Sequence, residues 1–124
     1  MPVVPSAVPV ARGLDTLFRA FADRTRLRIL NLLTAGELCV CDMVQLLGVP
    51  QPTVSRHLAY LRRAGLVAVT RDLRFAHYQL AEPQNAVHQS LIHCVRSCFT
   101  GLGALERERR AAQRRVLARR KTPC

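Results

Sequence analysis

The stretch GVPQPTVSRHLAYLRRAG, residues 48–65, reads as a tight turn followed by a helix. Pro52 suits a first helical turn, where a missing N–H leaves no hydrogen bond unmade. Val54, Leu58 and Leu61 repeat at spacings of four and three, which places them on one core-facing stripe. Thr53, Arg56, Tyr60 and Arg63 fall on the opposite side. A helix whose outward face is polar and cationic from its first turn can enter a DNA major groove.

Working outward, Gly48 stops a short helix expected over about Cys39 to Leu47, with Val40, Met43, Leu46 and Leu47 apolar. Before it, Asp23 is an acceptable N-cap for a helix carrying Leu27, Leu30 and Leu33 and ending near Gly36. Leu14, Leu17, Phe18 and Phe21 form one face of a first helix, with a break at Ala22 and Asp23. On the other side, Leu66–Arg71 and Phe75–Leu80 read as two short strands, with Asp72, Leu73 and Arg74 at a hairpin tip. From about Gln84 to Arg120 the pattern is helical again. Leu91, Val95, Cys98, Leu102 and Leu105 recur as a heptad seam, although Gly101 and Gly103 weaken that helix. The predicted architecture is mostly α (α+β): a winged helix-turn-helix with a two-stranded β-wing and terminal dimerisation helices. Residues 1–12 hold three of the seven prolines and predict a flexible arm. Residues 13–105 form the winged domain with its dimerisation helix, and 106–124 a basic tail, either a solvated helix end or a contact to the DNA backbone.

Composition agrees with a nucleic-acid partner. The chain of 124 residues carries nineteen Lys+Arg against eight Asp+Glu, a net charge of +11, with Lys121 the one lysine. Such an excess points to a polyanion, namely DNA, RNA or an anionic membrane surface. An apolar content of 49% supports a core, but a thin one at this length, which a dimer would help. No apolar run approaches the ~20 residues that span a bilayer. Residues 1–12 lack the charged start and apolar run of a secretory signal, so a cytoplasmic location is expected. Five cysteines there predict thiols for metal, redox sensing or packing rather than a disulfide scaffold.

Four segments together resemble the arsenical-repressor (ArsR/SmtB) family of bacterial winged-helix metalloregulators: ADRTRLRILNLL at 22–33, GELCVCDM at 36–43, QPTVSRHLAYLRRAGLV at 51–67 and HYQL at 77–80. The resemblance covers about residues 13–100, and its CVCD element makes it specific. It implies a homodimer that represses its operon by binding double-stranded operator DNA and lets go when a thiophilic ion binds. It places DNA contacts on Gln51, Thr53, Ser55, Arg56 and His57. Gln grips adenine and Arg grips guanine through paired hydrogen bonds, and Ser or Thr serve base or phosphate. Arg71 and Arg74 on the wing would hold phosphate or a narrow minor groove. Pro50 departs from the pattern, standing where the family usually has a serine cap.

The resemblance also matches Cys39 and Cys41 to the family's thiol pair. Two residues along an ideal helix rotate about 200°, so these sulfurs meet one ion only if this turn is non-helical or unwinds. Cys94 and Cys98, at i and i+4, share a helix face and can chelate by rotamer choice alone. A cysteine-rich, soft ligand set excludes magnesium and calcium. It favours As(III) or Sb(III) as inducer, with Cd, Pb, Hg or Cu as alternatives and no organic cofactor. The family's zinc site is broken: Glu82 remains, but Gln84, Val95 and Cys98 occupy the matching later positions, and His88 and His93 are out of pattern. The arsenite type often carries a third cysteine where this chain has Val44, a place that Cys94 or Cys98 of either subunit could fill. Cys124 is left without an assigned role.

A thiol-redox or persulfide repressor on the same scaffold, pairing a cysteine near 39–41 with one near 94–98 in a disulfide, is the nearest rival. An arsenite-handling enzyme or chaperone is a second, and a constitutive nucleoid or RNA binder with inert cysteines a third. No base–nucleophile constellation or phosphate-cradling loop is visible, so the chain is not expected to be an enzyme.

Overall fold

In the computed structural model, which describes residues 13–72 and 75–119, nine elements succeed one another. They are α1 (Leu14–Phe21), α2 (Arg24–Leu33), β1 (Leu38–Cys39), α3 (Val40–Leu47), α4 (Gln51–Arg63), β2 (Val67–Asp72), β3 (Phe75–Leu80), α5 (Ala86–Cys98) and α6 (Gly103–Arg119). Asp23 caps α2 as the sequence predicts: extended backbone turns its carboxylate onto the Arg26 N–H. Such a cap contributes about 0.5–2 kcal/mol over alanine. Gly48 ends α3 in the left-handed region that glycine occupies without strain.

The core lies where α2, α3 and α4 meet the sheet. Val54, Leu58 and Leu61 of α4 are wholly buried against Ile29, Leu30, Leu32 and Met43. Each such side chain contributes about 1.5–3 kcal/mol by leaving water, so the stripe fixes how α4 is rotated and which face it shows outside. Leu30 and Leu33 are buried with it, and Leu27 is half-buried. The predicted α1 face is split, because Leu17 is buried while Phe18 is 51% exposed.

Two features differ from the sequence reading. The wing is not only a two-stranded hairpin. The sheet has order β1-β3-β2, with β1 antiparallel to β3 through Leu38↔Tyr78 and Cys39↔His77. β2 pairs with β3 from Val67↔Leu80 to Asp72↔Phe75, and Leu73 and Arg74 of the expected tip lie outside the described residues.

The long C-terminal helix is likewise two helices. Gly101 adopts φ 85°, which side-chain-bearing residues rarely tolerate, and the chain turns between Cys98 and Gly103. The expected seam is therefore interrupted: Val95 is buried, Leu91 half-buried, and Cys98 and Leu102 exposed. After the turn α6 folds back onto α2, α3 and β1. The Asn31 side chain donates to the Leu105 carbonyl at 2.7 Å, Arg28 pairs with Glu108, and Ala112 is fully buried. A Cβ at Gly36 would lie 3.0 Å from Val116 Cγ1, so α6 passes close over the loop after α2. The boundary expected between 105 and 106 falls inside this helix. Apolar and charged contacts both hold residues 106–119 to the core. Among the described residues no helix is long and apolar enough to cross a membrane.

Candidate functional site

The outward side of α4 carries most of the residues singled out for DNA. Gln51 and Arg56 are exposed, and Thr53 and Ser55 are half-buried at the same end of the helix. The Gln51 amide Nε2 donates to Ser55 Oγ at 2.8 Å, one turn apart, so two of the predicted base-reading groups are already oriented by each other. Arg71 is exposed on β2, and Arg74 lies outside the described residues.

His57 is placed differently from its neighbours. Its Nδ1 lies 3.7 Å from Asp23 Oδ2, which makes it a strut between α4 and the cap of α2. Tyr60, on the outward side by spacing, is covered by the Arg26 guanidinium at 4.1 Å from the ring centroid, with Arg63 at 5.9 Å. The same Arg26 donates from Nε to the Ala20 carbonyl at 3.0 Å and from Nη2 to the Arg19 carbonyl at 2.8 Å. Arg26 thus ties the end of α1 to α4. The sequence reading missed it, because an arginine on a helix reads as a solvated charge until the Tyr60 ring is seen beneath it.

The thiol pair sits where β1 becomes α3. Cys39 is the N-cap, in an extended conformation at φ −89° and ψ 167°, and Cys41 is in the first turn. The helical rotation that would set the sulfurs on opposite sides therefore does not operate, and Cys39 Sγ lies 2.9 Å from Cys41 Sγ without unwinding of α3. Cys39 is buried and Cys41 exposed, so the pair opens to solvent on one side.

Beneath the pair, Asp42 is fully buried. Its Oδ2 accepts from the Cys39 backbone N–H at 3.3 Å and lies 3.2 Å from Cys39 Sγ. Two guanidiniums of α6 neutralise it. Arg115 Nη1 approaches Oδ1 at 3.1 Å, and Arg119 bonds through Nε to Oδ2 at 3.1 Å and through Nη2 to Oδ1. The bond to Asp42 raises the Arg119 pKa above its already high value, against the opposing effect of burial. Arg119 Nη2 also reaches Cys39 Sγ at 3.4 Å. A buried carboxylate left without its cations costs about 3–5 kcal/mol, so these contacts fix α6 to α3.

The ligand atoms of Cys39, Cys41 and Asp42 all lie within 4.8 Å of one another. The carboxylate of this cluster is engaged by two arginines, and sulfur is a donor that suits a soft, thiophilic ion.

Cys94 and Cys98 do not join this group. They face solvent on α5, where a hydrogen bond to Cys98 raises the Cys94 pKa. Val44 is half-buried, and among the described residues no cysteine of α5 takes its place beside Cys39 and Cys41. Around the disrupted zinc positions, Val95 is buried, and buried His88 accepts the Gln84 N–H on Nδ1 at 3.2 Å. His93 Nε2 lies 3.4 Å from Ser97 Oγ. Cys124 lies outside the described residues.

Comparison with known proteins bears on this arrangement. The family described as bacterial regulatory protein, arsR family, matches residues 23–69, from the α2 cap into β2. The arsenical resistance operon repressor of Escherichia coli K12 is 48% identical over 66 residues, 52% of this chain and 56% of the repressor, so the match spans little more than half of that relative. The arsenic resistance transcriptional regulator ArsR2 of Pseudomonas putida KT2440 is 39% identical over 77 residues, covering 60% of this chain and 67% of the regulator. Among solved structures, the homodimeric winged helix-turn-helix DNA-binding domain Mb0332 of Mycobacterium bovis superimposes with a TM-score of 0.60 at 26% identity, over 76% of this chain and 90% of that domain. These relatives are regulators and not enzymes. The chain, a mostly helical winged helix-turn-helix, belongs to the arsR family of bacterial regulatory proteins.

Proposed function

We propose that the protein is a cytoplasmic transcriptional repressor that binds double-stranded operator DNA as a homodimer and releases it when As(III) or Sb(III) binds cysteine thiolates. Each subunit lays α4 in a major groove, with Gln51, Thr53, Ser55 and Arg56 toward the bases and Arg71 and Arg74 of the wing on the backbone. His57 supports the reading helix from behind through Asp23. The observation that carries the inducer assignment is the 2.9 Å approach of Cys39 Sγ to Cys41 Sγ at a non-helical turn. The relatives named for arsenic resistance support it.

Arsenite reacts as arsenous acid. Two As–O bonds are exchanged for two As–S bonds, the thiol protons leave with the two hydroxides as water, and arsenic stays trivalent. Its third position keeps a hydroxide or takes a thiolate from Cys94 or Cys98. The test is operator release in a mobility-shift titration against arsenite, antimonite, cadmium, lead, mercury, copper and zinc. Wild type should release first with the pnictogens. Release by none of the ions would overturn the reading.

A further inference from the structure

A cavity of about 560 Å³ opens where the start of α1, the end of α4 and the start of α5 come together. Leu14, Leu17 and Val87 give it apolar walls, and Arg63, Gln84 and His88 its polar ones. It shares no residue with the cysteines or with the residues assigned to DNA. Its volume falls within the range of about 300–1,000 Å³ that small-molecule sites occupy. We propose that this cavity binds a small organic carboxylate, held by the His88 imidazole, the Arg63 guanidinium and the first turn of α5. The site is independent of the thiol sensor and adds to the arsenite response.

His88 is only 2% exposed. Its Nδ1 accepts the Gln84 backbone N–H at 3.2 Å, so the proton of the neutral ring sits on Nε2. That N–H is buried and, among the described residues, has no hydrogen-bond partner. Buried donors are nearly always paired, and a ligand oxygen would supply the missing acceptor. The start of α5 adds further donors. Asn85 Oδ1 takes the His88 backbone N–H at 2.9 Å, while the Ala86 and Val87 N–H groups have no acceptor within the helix. The positive end of the helix dipole lies at this turn and favours an anion. Arg63 brings a full positive charge from the last turn of α4. No Asp or Glu among the described residues lines the cavity, so no wall carboxylate repels the ligand. The apolar walls call for a carbon body behind the charged head, which selects an organic acid over an inorganic anion.

Benzoate is the probe, since it joins one carboxylate to a compact apolar body, and benzamide is its uncharged match. Full-length protein is titrated with each by calorimetry, while nitrogen-resolved NMR follows the imidazole Nε2–H of His88. Benzoate should bind and move that proton resonance downfield, and benzamide should bind about tenfold more weakly. Arg63 is exposed, so Arg63→Gln leaves the core untouched. It should weaken benzoate about tenfold and leave benzamide unaffected. His88→Phe keeps an apolar ring in the wall and should lose the preference for benzoate over benzamide. The wild-type resonance reports on the same contact whether or not that variant folds. Equal affinity for the two probes, or benzoate binding that leaves the His88 resonance in place, would overturn the site. Phosphate moving that resonance as strongly as benzoate would overturn the choice of an organic acid. No binding of benzoate at about 10 mM would sink the proposal outright.

Discussion

Asp23 and His57 are 34 positions apart in sequence, yet the carboxylate that caps α2 stands 3.7 Å from the imidazole of α4. The cap of one helix of the reading motif is thereby the footing of the other. Asp23→Ala removes both at once and should lower stability by about 0.5–2 kcal/mol through the cap, read from urea denaturation. Asp23→Asn, which keeps a capping oxygen, should recover most of it. Equal losses in the two variants would place the effect elsewhere.

The same carboxylate sets an acid limit. The Arg26 N–H, and to a lesser extent His57, hold the Asp23 pKa below its ordinary value. A carboxylate with a depressed folded pKa binds fewer protons folded than unfolded, so its contribution is present above about pH 4 and is lost as pH falls below that. Denaturation at pH 3 and pH 5 should therefore differ more in wild type than in Asp23→Ala.

His88 governs a higher window. Burial lowers its pKa, and among the described residues its buried Nε2 has no hydrogen-bond partner, so the folded protein favours the neutral ring. Its contribution is complete above about pH 6.5 and declines as pH falls from there through the folded pKa. His88→Gln should flatten the stability profile between about pH 5 and 6.5. A profile unchanged in that variant would remove His88 as its source.

On DNA, Arg56→Ala should weaken operator binding by about 1–3 kcal/mol and relax the preference at one base pair. Arg71→Ala should weaken operator and random DNA alike and shallow the salt dependence by about one unit. Quantitative footprinting at several salt concentrations separates the two. An unchanged Arg56→Ala footprint would mean that the reading face is misassigned.

The cysteines divide by region. Cys39→Ser and Cys41→Ser should each repress normally and lose release by arsenite, as measured on labelled operator. Cys94→Ser and Cys98→Ser should shift the arsenite midpoint without abolishing release, if α5 supplies only the third ligand. Loss of release in the α5 variants alone would move the sensor to that helix. A disulfide joining the two regions after mild oxidation, with no response to arsenite, would favour the redox alternative.

Much of this was legible from residue order because it depends on local rules. The cap at Asp23, the stop at Gly48 and the buried stripe Val54, Leu58 and Leu61 are all decided within a few residues. The features that escaped depend on distant partners. β1 has two residues and exists only because β3, almost forty positions later, hydrogen-bonds to it. Heptad spacing carried the last helix through Gly101, whereas the backbone turns there and sends α6 back to the core. An ideal helix would separate the sulfurs of Cys39 and Cys41; of the two alternatives open from the sequence, a non-helical turn, the extended cap, brings them together. The arginines at 115 and 119 read as part of a basic tail because their acceptor, Asp42, lies more than seventy residues earlier.

Cys39 owes its position to its main chain, which is paired with β3 opposite His77 and is bonded through its N–H to Asp42. Its side chain adds bonds to Asp42 and Arg119 to a main-chain framework that other residues define. Lineages descending from such a chain could exchange the residues at 39 and 41 and acquire a different chemical sense while inheriting the reading helix intact. On the proposed function, such a mounting lets the detector be replaced while the output stays in place.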